Sequence, residues 1–305
     1  MRKNLFILAV VAAMVMPTKA QLLYRISGND LQKDSYIVGT FHLADGTFMD
    51  EIPGCRKAVN SVSQVCGELE FVSKTFVADS IAILNQKMRL PDGKTLRDVM
   101  TKQQYEKVDT FVGKILGMNL SNPTLYAQLG NLTPTALAQT IELTKCIIKM
   151  RKQGKKFNPQ NAIDSYIQKE AHDAGKKTLG LETISFQANI LFDTPIDEQI
   201  KSLMCAIDNE QYNDERYDQM VKLYFEQKAE ELYEATIEKM GNECDAKPED
   251  LDKILYNRNA NWIKLMPEIM KGGSTLFVVG AAHLGGKRGV LKGLQNTGYK
   301  VEAVK

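Results

Sequence analysis

The chain has 305 residues, of which 39 are Lys or Arg, 37 are Asp or Glu and three are His, with a formal net charge of +2. This near balance of charges argues against a protein that binds nucleic acid or anionic membrane surfaces, because such proteins carry a strongly basic face. A chain of this length can bury one large core or two smaller ones.

The first twenty residues have the pattern of a secretory signal peptide. A basic start at Arg2 and Lys3 precedes an uncharged apolar stretch, residues 5–16, and small residues precede a cleavage point after Ala20. The apolar stretch is shorter than the roughly 20 residues that a membrane-spanning helix needs, although an uncleaved anchor is the alternative. We predict an exported protein, periplasmic or secreted, that begins at Gln21 and has no stable membrane span.

Short apolar runs towards the two ends of the chain predict the strands. In chain order they cover residues 22–26, 35–41, 62–69, 178–181, 275–279 and 299–304. Continuous apolar runs of this length are typical of strands buried in a mostly parallel sheet. We predict an α/β fold with a mostly parallel β-sheet core and a large helical excursion between the N- and C-terminal sheet segments.

Two long stretches of helical pattern, residues 73–157 and 197–270, interrupt what we predict to be a single α/β domain over residues 21–305. The first includes predicted helices at 96–116 and 134–150. A shorter helix is predicted from an N-cap at Asn158 and a proline at Pro159 to a left-handed end at Gly175. Its inner face is predicted to consist of Ile163, Tyr166, Ile167, Glu170, Ala171 and Ala174.

The most informative feature is a short string that occurs twice. Residues 38–43 read Val-Gly-Thr-Phe-His-Leu, and residues 279–284 read Val-Gly-Ala-Ala-His-Leu. Imidazole is the commonest metal ligand in proteins and the usual general base near neutral pH. Ligands of open α/β sheets bind at the carboxyl ends of strands, where both strings lie. We predict that His42 and His283 belong to one site; the alternative is two similar strand ends with ordinary histidines.

Carboxylates end two further strand-like runs. Glu68 and Glu70 close the third run, and Glu182 follows the fourth. Because alternate residues of an extended segment share a face, Glu68 and Glu70 are expected to face one cleft. Two imidazoles with carboxylates are a suitable donor set for a catalytic divalent ion, Mn, Co or Zn, with a spare glutamate as general base. For each glutamate alone, a helix cap or an ion pair is the alternative.

Other motifs add candidates and exclusions. Arg258 and Asn259 lie on a predicted helix with Trp262, which we expect in the core; Arg258 is a candidate to clamp a substrate carboxylate, with a surface position as the alternative. The chain lacks the His-Glu-x-x-His and Gly-x-Ser-x-Gly signatures of zinc peptidases and serine hydrolases. Its five cysteines include no Cys-x-x-Cys pair, which argues against a zinc ribbon, while Cys205 and Cys244 could form a disulfide.

In these motifs the sequence resembles the TraB/GumN family, which is related to the Tiki proteins and similar in fold to the erythromycin-esterase and ChaN-type proteins. The resemblance implies a metal-dependent hydrolase in which His42, His283, Glu68 and Glu182 are the carried-over site residues. At the position of Glu70 the family often has Asp, a mild departure. The matching residues are 36–42, 67–70, 90–96, 180–183 with Gln187, Arg258, Asn259 and Trp262, 276–284, 289–290, and 298, 299 and 301.

We therefore predict an exported metal-dependent hydrolase that cleaves a peptide bond or, as the second choice, a small ester. His42, His283 and Glu68 are the predicted metal ligands, and Glu182 is the predicted base. Arg258 and Asn259 are predicted to orient the substrate or the developing oxyanion, and the role of Glu70 stays open. The alternative is a non-catalytic protein that binds a metal, haem or a peptide signal at the same edge of the sheet.

Overall fold

The computed structural model describes residues 21–152, 158 and 161–305. The predicted signal peptide and Pro159 lie outside the described residues. All six predicted strands are present, with ends shifted by no more than two residues. They are β1 Leu23–Ser27, β2 Ser35–Thr40, β3 Gln64–Gly67, β4 Lys177–Gly180, β5 Thr275–Gly280 and β6 Lys300–Ala303.

The strands form one mixed, mostly parallel sheet in the order β4-β3-β5-β2-β1-β6. The pairs from β4 to β2 are parallel, and β1 is antiparallel to both β2 and β6. Every residue of β3 and nearly every residue of β5 is buried, so both faces of these central strands are covered. The predicted fold class is therefore confirmed.

The rest of the described chain is mainly helical. The helices are α1 Cys55–Ser61, α2 Phe76–Lys87, α3 Leu96–Val99, α4 Lys102–Leu116, α5 Pro123–Leu129, α6 Pro134–Lys152, α7 Ile163–Asp173, α8 Ile184–Phe192, α9 Ile196–Asp208, α10 Glu210–Phe225, α11 Ala229–Ile237, α12 Pro248–Leu251, α13 Asn257–Gly272 and α14 Val290–Asn296. A π-helical turn, Asp252–Tyr256, joins α12 to α13.

The buried apolar side chains form two clusters. The first lies around the sheet and includes residues of α1, α7, α10, α13 and α14. The second lies among α3, α4, α5, α6, α8 and α9. The helical excursion therefore has its own core, and α8 and α9, which follow β4, belong to that core. Among the described helices of this layer, α2 contributes no buried residue and packs against α8.

Two predicted helices differ from those observed. Helix α7 begins at Ile163, not after Asn158, because its N-cap residue Ala162 is extended and forms a β-bridge with Asp45. The predicted helix 96–116 is two helices, because Thr101 caps α4 and ends the continuity with α3. The left-handed end at Gly175 is as predicted, with a φ of 73°.

Cys205 of α9 and Cys244 form a disulfide, and Cys55, Cys66 and Cys146 are free and buried. The bond joins the second cluster to the segment before α12. In the described part of the chain, none of the helices is both long and apolar enough to cross a membrane.

Loss of this disulfide should lower stability markedly. Its cysteines are separated by 39 residues in sequence, and closing a loop of that size in the unfolded chain is worth about 4 kcal/mol in the chain-entropy model. We expect Cys205→Ser, Cys244→Ser and the double variant to lose up to that amount of unfolding free energy in urea titrations. The three variants should lose equal amounts of unfolding free energy, which serves as the internal control. If the wild-type protein keeps its full stability after the disulfide is reduced, the expectation is wrong.

Candidate functional site

Four neighbouring strands end at one edge of the sheet, and each is followed by a predicted site residue. The order β4-β3-β5-β2 brings together the segments that carry Glu182, Glu68, His283 and His42. β2 and β5 pair in parallel, so the two Gly-x-x-His strings end side by side. This register confirms that the two distant strings meet at a single edge of the sheet.

The glycines of the two strings allow close approach. A Cβ on Gly39 would lie only 2.8 Å from Leu284 Cδ1 and 3.1 Å from Ala281 Cα. The Gly280 N–H donates to Glu68 Oε1 at 2.7 Å, and a Cβ on Gly280 would lie 3.3 Å from that oxygen. The first glycine therefore lets the two strings pack together, and the second lets the backbone bind a buried carboxylate.

Arg258 lies among these strand ends. Its Nε and Nη2 donate to the Glu182 carboxylate at 2.9–3.1 Å, and Nη2 also donates to Glu68 Oε2 at 2.6 Å. Its Nη1 donates to His283 Nε2 at 3.1 Å and to the Ile254 carbonyl at 3.2 Å. The three charged side chains are each at most 10% exposed. The guanidinium therefore compensates two buried carboxylates, and protein groups accept all of its N–H donors.

Further polar side chains bind the two carboxylates and His283 of this cluster. Trp262 Nε1 donates to Glu182 Oε1 at 2.9 Å, and Gln187 Nε2 donates to both carboxylates. His283 Nδ1 donates to Asn259 Oδ1 at 2.6 Å, and the His283 ring packs on Trp262 with centroids 4.4 Å apart. Trp262 is fully buried as predicted, but it also fixes a site carboxylate. Because Arg258 and Asn259 have these protein partners, their role in orienting a substrate stays a prediction.

The environment separates the charge states of Glu68 and His283. Burial alone would raise the pKa of Glu68, but its neighbours, His283 and Arg258 first, outweigh burial and lower this pKa to about 2. Burial lowers the pKa of His283 to about 4, with Arg258 acting in the same direction. His283 is therefore neutral at physiological pH. This agrees with its hydrogen bonds, in which Nδ1 donates and Nε2 accepts.

His42 has a different setting. It lies in the turn formed by residues 41–44, and its Nδ1 bonds to Asp164 Oδ2 at 2.9 Å. The Asp164 side chain is 6% exposed and also accepts from the Thr40 hydroxyl, whereas the His42 side chain is 69% exposed. The neighbouring Asp164 carboxylate, which favours the charged imidazolium, raises the pKa of His42 to about 9. Its Nε2 has no bonded partner among the described residues, so this nitrogen is available to a ligand.

Asp164 was not among the predicted site residues, because the predicted inner face of α7 was rotated relative to the observed one. The buried residues of α7 are Ile163, Asp164, Ile167, Gln168 and Ala171. The predicted face also included Tyr166, which is partly buried against the core, and Glu170, which instead pairs with an exposed arginine. A carboxylate next to an apolar residue in the first turn of an amphipathic helix was the available signal.

Glu70 lies apart from the other candidates. Its carboxylate accepts from the Thr178 hydroxyl at 2.9 Å, while Glu68 binds Arg258 and Gly280. β3 ends at Gly67, so the two glutamates do not continue one regular strand and do not share a partner. The expectation that both face one cleft is not met, and the structure gives Glu70 a structural contact within the sheet edge.

The predicted metal ligands do not fit a single divalent ion in this arrangement. Arg258 binds both His283 Nε2 and Glu68 Oε2, and Gly280 binds the other carboxylate oxygen of Glu68. In the described chain, no group of three or more His, Cys, Asp and Glu side chains is arranged to hold a metal ion. One feature favours metal binding: Asp164 accepts from His42 Nδ1 and Asn259 accepts from His283 Nδ1. Metal-ligating imidazoles usually have such a partner at the ring nitrogen that does not bind the metal.

Removal of the Arg258 charge should be strongly destabilising. Arg258→Met keeps much of the side-chain volume but leaves two carboxylates buried without compensation, which costs about 3–5 kcal/mol. The matched control is Arg25→Met, because Arg25 also pairs with two carboxylates, Asp34 and Glu302, but is 43% exposed. This exposed pairing contributes little to stability, because water screens its charges. Equal losses of unfolding free energy in the two variants would contradict the importance of the buried cluster.

The His42 imidazole should titrate far above an ordinary histidine. We expect its NMR titration midpoint near pH 9 in the wild type and near its ordinary value of 6.5 in Asp164→Asn. Because the folded-state pKa is raised, protonated His42 stabilises the fold fully below pH 6.5, and this contribution is lost as the pH rises through about 9. His172, exposed and remote in sequence from both strings, is the reference signal. An unchanged midpoint in Asp164→Asn would rule out this cause.

Comparison with known proteins gives one match. The family model described as TraB/PrgY/gumN family covers residues 22–303, from β1 to the end of β6. No curated protein and no solved structure matched the chain. The family match includes both Gly-x-x-His strings, Glu68, Glu182 and the Arg258 helix. Since it covers nearly the whole sequence, the chain belongs to the TraB/PrgY/gumN family.

Proposed function

We propose that this protein is a hydrolase in which His42 transfers the proton, acting on a peptide bond or, as the second choice, a small ester. The observation that carries the proposal is the solvent-open imidazole of His42 held at Nδ1 by the buried Asp164 carboxylate. A carboxylate in this position fixes the imidazole orientation and stabilises the imidazolium that forms when a base takes a proton. Nε2 is then the atom that would remove a proton from water.

The buried cluster supports the reaction indirectly. Arg258 and neutral His283 place positive and polar groups next to Glu68, behind the edge that carries His42. These groups act on His42 through their charges, because Glu68 raises the pKa of the imidazole and Arg258 lowers it. In this proposal Glu182 holds Arg258 in place, and the earlier assignment of Glu182 as base is the second choice, because Arg258, Trp262 and Gln187 already bind its carboxylate.

We also propose that the protein is exported. Support comes from the signal-peptide pattern of residues 1–20 and from the Cys205–Cys244 disulfide. Disulfides persist in oxidising compartments and are rare in the cytosol.

His42→Gln should abolish turnover without unfolding the protein. A general base contributes about 10²–10⁴-fold, so we expect a loss of that size against casein-derived peptides, read by mass spectrometry, and p-nitrophenyl acetate. The matched control is His172→Gln, because the His172 side chain is 57% exposed and pairs with the exposed Asp173 beside it in sequence. Since only neutral His42 can accept a proton, kcat/KM should rise with pH towards 9, and Asp164→Asn should move this rise to lower pH. Turnover retained in His42→Gln would end the proposal.

A metal-dependent form of the same hydrolase is the second candidate, favoured by the Nδ1 contacts of both histidines. It requires Arg258 to release His283 and Glu68. The same samples, stripped with a chelator and resupplied with Mn, Co or Zn, separate the candidates. Activity that returns only with an ion bound one to one supports the metal form, and chelator-resistant activity supports His42 alone. A wild type that neither turns over these substrates nor binds an ion favours a non-catalytic binding protein.

A further inference from the structure

A small apolar pocket lies beside the turn that carries His42. Phe41 and Leu43, on either side of His42, line it together with Met150 of α6 and Val221 of α10. Its volume is about 30 Å³. A site needs roughly 10–15 Å³ for one water molecule, so this pocket has room for a small aliphatic group and not for an aromatic ring.

The polar side chains that line the pocket carry no unpaired charge. At its rim, Lys149 and Asp218 form an ion pair with each other. Inside, Cys146 and Tyr217 are hydrogen-bonded to one another, and burial raises the pKa of both groups. The thiol and the phenol are therefore uncharged at physiological pH. A charged ligand group would lose its hydration here without gaining a partner, whereas an aliphatic group loses nothing.

We propose that this pocket binds a small aliphatic side chain of the substrate, next to the bond that is hydrolysed beside His42. The proposal rests on the hydrolase function proposed above. Phe41 and Leu43 are the immediate neighbours of His42 in the chain, so a side chain held in the pocket lies against the turn that carries the imidazole. Val221 and Met150 determine the size of side chain that is accepted.

The test is binding, which does not depend on turnover. Dissociation constants of the N-acetyl methylamides of Gly, Ala, Val and Phe are measured by ligand-observed NMR on the mature, oxidised protein. Each buried CH₂ group is worth on the order of fourfold in affinity. We therefore expect the Val compound to bind at least about tenfold more tightly than the Gly compound, and the Phe compound to gain nothing over Gly.

Two variants of the pocket give opposite expectations. Val221→Phe fills the pocket and should remove the preference for Val, while Val221→Ala enlarges it and should shift the preference towards the Phe compound. The matched control is Val77→Phe, because Val77 is 65% exposed on α2 and lines none of the described pocket. Should Val221→Phe fail to fold, Val221→Ala still decides the question.

The outcomes separate this proposal from the proposed hydrolase. A Val preference that follows Val221 supports the pocket, whether or not any substrate is turned over. Such a preference should persist in His42→Gln, whose turnover is expected to be lost. Equal affinity for all four compounds, or a preference that Val221→Ala leaves unchanged, overturns the pocket even if hydrolysis by His42 is established.

Discussion

The structure of the site depends on the burial of one guanidinium. Arg258 contacts groups contributed by three strand ends, namely Glu68, Glu182 and His283. Two carboxylates at neighbouring strand ends would repel each other in a low-dielectric interior, and the cation between them removes that cost. The π-helical turn before α13 contributes to this geometry, because its Ile254 carbonyl accepts the remaining N–H of Arg258. Backbone irregularities of this type often occur at functional sites.

The two histidines of the repeated string have opposite electrostatic environments. The Asp164 carboxylate raises the pKa of the exposed His42, whereas burial lowers the pKa of His283, with the Arg258 charge acting in the same direction. Equivalent positions of the repeated string therefore give one imidazole that can exchange protons with a ligand and one that is fixed as a neutral hydrogen-bonding group. The sequence repeat alone does not reveal this difference, because the partners Asp164 and Asn259 come from distant helices.

The strands and the edge at which the site lies could be predicted because apolar runs and strand ends are local features. The contacts of Arg258 could not, since an arginine on an amphipathic helix has the same local pattern whether it is exposed or buried. Asp164 was missed because a small rotation of the predicted buried face of α7 is enough to assign this buried carboxylate to the solvent side. The start of α7 was missed because the bridge between Asp45 and Ala162 joins segments more than a hundred residues apart.

Helix α8 connects the helical core to the buried charge cluster. Thr183 caps the helix directly after Glu182, Gln187 on its first turns binds both site carboxylates, and Ala188 and Phe192 pack in the helical core. Gln187 therefore reaches the two buried carboxylates from a helix whose far end is held in the helical core, so the packing of Ala188 and Phe192 also fixes a hydrogen-bond donor of the charge cluster.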